Sequence, residues 1–125
     1  LEAYLATYRD IDVALDPFPF AGGTTTCDAL WMGVPVVTLA GRTAVSRAGS
    51  SLLSNVGLSE LVARTPEQYV ELAADLIRDR ERLTELRSRL RGRLEASPVM
   101  DLARFVHNLE DAYRTMWRAW CAKTP

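Results

Sequence analysis

Three consecutive hydroxyls, Thr24, Thr25 and Thr26, follow the pair Gly22-Gly23 and stand just ahead of a carboxylate, Asp28. Residues of these types in this order suit a ligand that carries both phosphate and neighbouring hydroxyls. If the threonines open a helix, its first turn presents backbone N–H groups without intrahelical partners and a partial positive charge, and both favour an anion. A single threonine there also works as an ordinary N-cap. A run of three exceeds what capping needs and leaves at least one hydroxyl for a phosphate. The two glycines can take backbone angles closed to other residues, which lets main-chain N–H groups approach a ligand closely. Asp28 follows Thr24 by one helical turn, which puts both on one face. A carboxylate at that depth would repel phosphate, but it accepts hydrogen bonds from the two hydroxyls of a ribose. The plainer alternative, an aspartate that complements the helix dipole, is worth about 0.3–1 kcal/mol; the neighbouring threonines favour the ribose. Arg42, Ser46 and Arg47 form a second set, since a guanidinium offers phosphate oxygens a planar fork. A surface arginine at a helix start is the commoner occurrence of that pattern.

The elements that must position these groups can be read from punctuation and periodicity. A short apolar strand over 12–16 is ended by Pro17 and Pro19, which cannot donate to a sheet ladder. The threonine helix runs from Thr24 to about Met32, and Gly33 with Pro35 stops it. A second apolar strand over 35–39 has the character of a buried parallel strand. A tight loop over 40–43, a helix over 44–55, and a turn with a third strand over 59–63 follow. Crossovers between such strands bring their C-terminal ends to one edge, so the Gly22 and Gly41 loops should share one crevice. Beyond it the chain turns helical. Thr65-Pro66 is a start signal, with Tyr69, Leu72, Ala73 and Leu76 as the apolar face. A helix over 80–96 carries Leu83, Leu86, Leu90 and Leu94 on one stripe. The last helix, over 101–122, has Leu102, Phe105, Val106, Leu109, Tyr113, Met116, Trp117 and Trp120 at helical spacing. The expected fold class is α/β: a partial Rossmann-like domain, three layers α/β/α around a short parallel sheet, with a helical C-terminal tail.

These residues also carry a resemblance. The run LDPFPFAGGTTTCDALWMGVPVVTLAG, then SRAGSSLL, VGLSELVA, Ser97-Pro98 and AYRTMW, resembles the C-terminal part of the O-GlcNAc transferase and SPINDLY family of protein O-glycosyltransferases. The likeness extends over nearly the whole chain in one register. It implies a GT-B enzyme whose second Rossmann-like domain binds a nucleotide sugar, with the diphosphate on the threonine helix and the ribose on the acidic residue in its second turn. On this chain those positions are Thr24, Thr25 and Asp28, with Gly22, Gly23, Thr26 and Arg47 completing the expected substrate-binding set; no catalytic residue is assigned. Animal members have a histidine where Gly23 stands, whereas SPINDLY-like members carry a longer hydroxyl run and often Glu in place of Asp28. The resemblance implies a metal-independent transfer of a sugar to Ser or Thr of proteins, with UDP-GlcNAc favoured over GDP-fucose as donor. Its alternatives are a SPINDLY-type protein O-fucosyltransferase, a different GT-B enzyme, and a non-catalytic GT-B-like structural or binding module. Residues 1–100 are expected to form the nucleotide-sugar-binding segment, with the upstream part of that domain missing. Residues 101–125 are expected to be a crossover helix returning toward the first domain, with Trp117 and Trp120 docking there. The acceptor protein would bind mainly to missing N-terminal regions, and tetratricopeptide repeats of about 34 residues upstream would favour the protein-modifying reading.

Composition removes other classes. With 15 basic against 16 acidic side chains and a net charge of −1, general affinity for nucleic acid or an anionic membrane is not expected. Arg87, Arg89, Arg91 and Arg93 crowd one helix, but Glu81, Glu85 and Glu95 interleave with basic residues as on a solvated face. Cys27 and Cys121 have neither metal nor disulfide spacing and read as reduced thiols of a cytoplasmic protein. No apolar run reaches the length of a signal peptide or membrane span. A start without methionine, in what reads as the end of a helix, suggests an excised segment. His107 falls off the apolar stripe and is assigned no role.

Overall fold

In the computed structural model, which describes residues 1–123, the run Val36–Leu39 forms the central strand β2, and its first three side chains are all buried. Successive strand side chains point to opposite faces, so β2 is covered on both. β1 (Ala14–Leu15) and β3 (Val62–Ala63) flank it in the order β1-β2-β3, all parallel, with Ala14 opposite Val36 and Thr38 opposite Val62. The fold class is α/β, as expected. The helices are α1 (Glu2–Ala6), α2 (Thr24–Trp31), α3 (Ala48–Asn55), α4 (Pro66–Arg78), α5 (Arg80–Glu95) and α6 (Leu102–Lys123).

Leu30 of α2, Leu53 of α3, Leu76 of α4 and Leu90 of α5 meet in one apolar cluster with Leu58 and Leu61, each at most 1 % exposed. Full burial of such a side chain contributes about 1.5–3 kcal/mol. This shared core fixes α2 against the sheet. Helix ends follow the local chemistry. Gly33 takes φ 76° behind α2, where its N–H donates to Leu30 and that of Val34 to Ala29, a glycine C-terminal stop. Thr65 caps α4 by accepting from the Gln68 N–H, with Pro66 at the first helical position.

Two elements depart from expectation. The strand over 12–16 narrows to Ala14–Leu15, because Asp12 is drawn outward to the Arg87 guanidinium at 2.9 Å while the Asp16 carboxylate turns inward. The helix over 44–55 divides into a 3-10 turn, Val45–Arg47, and α3. Ser46 causes the division: its hydroxyl accepts from the Thr43 N–H and donates to the Thr43 carbonyl, a local bond that competes with continuous helix.

The basic face of α5 is also more engaged than a solvated face. Arg87 donates to the Ile11 carbonyl, Arg91 to that of Trp31 while lying 4.7 Å over its ring, and Arg93 to that of Gly57. Arg89 pairs with Glu85 at 2.8 Å. Arg87, Arg91 and Arg93 thus staple α5 to the chain around the sheet, while the Arg89 pair stays within the helix. Helix α6 has no buried residue, and Phe105, Tyr113, Met116 and Trp117 are exposed along it. The segment expected over 101–125 begins with Asp101, whose carboxylate accepts from the Arg104 N–H at the start of α6. Its last two positions lie outside the described residues.

Candidate functional site

Helix α2 begins directly at Thr24, so its N-cap is Gly23 and the three threonines occupy the first turn itself. The capping role weighed for a threonine therefore falls away: no side chain caps this helix end, and the Gly23 carbonyl accepts the first helical bond from Cys27 at 3.1 Å. An uncapped first turn keeps its N–H groups and their partial positive charge for an outside anion. Thr24 and Thr25 are exposed there, whereas Thr26 is buried against Gly22.

Neither Gly22 nor Gly23 has a positive φ; those values belong to Gly33 and Gly57. Gly22 is required by crowding instead. A Cβ on it would lie 2.7 Å from Thr26 Oγ1 and 2.9 Å from Thr25 Oγ1. Its N–H is also committed, donating to Asp16 Oδ1 at 2.6 Å. Gly23 has φ −117° and faces open space.

Asp28 lies one turn further along α2, half-buried, and its Oδ2 accepts from the Tyr4 hydroxyl at 3.1 Å. Tyr4 in turn sits 2.9 Å from the Tyr8 hydroxyl, with the rings edge to face at 5.6 Å, and Tyr8 donates to the Thr25 carbonyl at 3.4 Å. The hydrogen bond with Tyr8, reinforced by that to Asp28, holds the Tyr4 phenol above its ordinary range, so it remains a donor. This tyrosine pair anchors the mouth of α2 to the chain's first turns. Its signal in the sequence was only the one-turn spacing of Tyr4 and Tyr8.

The second loop lies where expected: the Ala21 N–H donates to the Val45 carbonyl at 3.3 Å, so the Gly22 and Gly41 loops touch. Within it Ser46 is buried and spent on Thr43, which removes it from ligand contact. Arg47 is exposed at the end of the 3-10 turn, and Arg42 is exposed in the loop. A cleft of about 130 Å³ opens between the end of β1 and the first turn of α2, lined by Tyr8, Asp16, Pro17, Thr25 and Thr26 among others. Whole-ligand pockets run to roughly 300–1,000 Å³, so this cleft is smaller than a site that encloses a whole ligand. Among the described residues no group of His, Cys, Asp and Glu is arranged to hold a metal ion.

Sequence reasoning passed over Asp16. It is only 4 % exposed, and its carboxylate accepts from Gly22 on one oxygen and from the Thr38 hydroxyl on the other. An acidic residue closing an apolar strand beside Pro17 was the available signal.

Residues 4–109 match Glycosyl transferase family 41. The chain is 50 % identical over 118 residues to a rice protein, from Oryza sativa subsp. japonica, named "Probable UDP-N-acetylglucosamine--peptide N-acetylglucosaminyltransferase SPINDLY". The match covers 94 % of the chain and 13 % of the rice protein. A Caenorhabditis elegans UDP-N-acetylglucosamine--peptide N-acetylglucosaminyltransferase is 34 % identical over 114 residues, 91 % of the chain and 10 % of that protein. A solved structure of a mutant Thermobaculum terrenum O-GlcNAc transferase superposes with a TM-score of 0.90 at 52 % identity, over 98 % of this chain and 24 % of that one. The chain thus spans a small part of the length of these relatives. The family match takes in the sheet, the tyrosine pair and the uncapped threonine helix together, and on that extent the chain belongs to glycosyl transferase family 41.

Proposed function

We propose that this chain supplies the donor-binding part of a protein O-glycosyltransferase, which moves a sugar from a nucleoside diphosphate to a Ser or Thr hydroxyl. The observation that carries the reading is the uncapped first turn of α2, with Thr24 and Thr25 exposed on it and Asp28 one turn behind. The diphosphate sits at the helix mouth, and the ribose hydroxyls donate to Asp28. As the glycosidic bond breaks, negative charge grows on the leaving diphosphate. N–H groups and hydroxyls fixed around that charge stabilise the transition state more than the ground state. None of the mouth residues is a general base in this account, and acceptor binding falls to parts of the enzyme beyond this segment. The sugar is GlcNAc on UDP, in keeping with the names of the rice and nematode relatives; fucose on GDP is the competing donor.

Replacing Thr24 and Thr25 together by valine tests the reading. Affinity for a nucleoside diphosphate, measured by calorimetry, is expected to fall by about ten- to a hundredfold, as for losing about 1.5–3 kcal/mol of hydrogen bonding to a charged group. Affinity for the nucleoside alone should hardly change. A loss shared by both ligands would contradict the assignment of these hydroxyls to phosphate.

A further inference from the structure

We infer that Asp16 is a positioning residue for the donor site, holding the mouth of α2 through the Gly22 amide. The inference rests on the diphosphate lying at that mouth, as proposed above.

The chain between β1 and α2 contains two prolines and two glycines and must deliver the first turn of α2 to one place. Asp16 begins this loop and Gly22 nearly ends it. The 2.6 Å bond from the Gly22 N–H to Asp16 Oδ1 therefore closes the loop on itself. Charge-assisted bonds of this kind are roughly twice as strong as neutral ones. Gly22 directly precedes the N-cap Gly23, so a shift of Gly22 moves the Gly23 carbonyl and with it the N–H groups of Thr24, Thr25 and Thr26.

Asp16 is itself held from other sides, at its side chain and at its backbone. Thr38 in β2 donates to Oδ2 at 2.6 Å, and Tyr69 in α4 donates to the Asp16 carbonyl at 2.8 Å. Gly49, in the first turn of α3, comes so close that a Cβ there would run into the carboxylate. The first turn of a helix carries partial positive charge, which favours the buried anion. One side chain thus ties the loop to β2 and rests on α3. If Asp16 served stability alone, it would need a donor for each oxygen, but the donor need not be the amide next to the N-cap of the ligand helix.

The test compares Asp16→Ala, Asp16→Asn and Thr38→Val in the full-length protein, with UDP, GDP and the free nucleosides as probes. Asparagine keeps an acceptor for Gly22, and the Thr38 hydroxyl can rotate to accept from its amide, so Asp16→Asn should bind diphosphate within about threefold of wild type. Asp16→Ala leaves the Gly22 N–H without its acceptor and should lose at least about tenfold in diphosphate affinity while nucleoside affinity holds. If Asp16→Ala fails to fold, Thr38→Val decides: it leaves the Gly22 bond in place but frees the carboxylate to swing, and should show the same selective loss at smaller size. Equal diphosphate affinity in these variants, a loss that asparagine does not rescue, or a parallel loss of nucleoside binding would overturn the inference. If the wild-type protein binds neither diphosphate, the donor-site reading falls first and the inference with it.

Discussion

Asp28 keeps acceptor capacity even with Tyr4 donating to one of its oxygens, since an ionised carboxylate accepts at several positions. That is what a ribose contact requires. Asp28→Ala should lower nucleoside diphosphate affinity by about tenfold or more, at about 1.5–3 kcal/mol for a charged hydrogen bond, while the chain stays folded. Equal affinity by calorimetry would take Asp28 out of the ribose role. The two cysteines diverge in a checkable way. Burial first, and then the Asp28 charge, pushes the Cys27 thiol up, whereas Cys121 is exposed. The thiolate is the reactive form, so a thiol reagent at neutral pH should label Cys121 well before Cys27, and equal rates would contradict the packing around Cys27. At this scale the sequence disclosed the threonines and Asp28, because type and spacing suffice for groups on one helix. It could not disclose that the Gly22 amide is spent on Asp16 or that Ser46 is turned inward, because those partners are set by how loops fold over the sheet.

Among the elements, caps and stops were legible and loop conformations were not. Thr65-Pro66 and Gly33 act locally, through the Thr65 hydroxyl, the fixed proline φ and the glycine's positive φ, so the start of α4 and the end of α2 stand where their residues place them. Thr65→Ala should cost about 1 kcal/mol, within the roughly 0.5–2 kcal/mol of a lost N-cap, read from denaturant unfolding; no change would mean that α4 is held by packing alone. The 3-10 turn Val45–Arg47 escaped reading because a serine favours either helix or local backbone bonding, and Thr43 decides which. The α5 arginines likewise looked solvent-facing in sequence, since the carbonyls of Ile11, Trp31 and Gly57 come to them only through the fold. Gly49 shows the tightest constraint of this kind. Gly49→Ala forces a methyl against Asp16 and Thr38 and should destabilise by about 1–3 kcal/mol, the usual cost of overpacking. A denaturation midpoint equal to wild type would mean that α3 can retreat from Asp16 and β2 freely.

For the molecule as a whole, the small sheet and the leucine cluster account for the body, while α6 offers its apolar stripe to the outside. The periodic stripe was plain in the sequence, but periodicity does not say whether the partner surface belongs to the same fold. Because Trp117 is 66 % exposed, Trp117→Ser should change the unfolding free energy of this chain by no more than about 0.5 kcal/mol, as for other surface positions. A larger loss would place that side chain in the folded core. The central claim, that the mouth of α2 receives a nucleoside diphosphate, is tested most directly by titrating the chain with UDP and with GDP and following its amide resonances. Shifts centred on Gly23 to Asp28 are expected, larger for UDP than for GDP, with binding weak enough to need millimolar ligand. Undisturbed resonances over Gly23 to Asp28 at that concentration, or shifts confined to other elements, would contradict it.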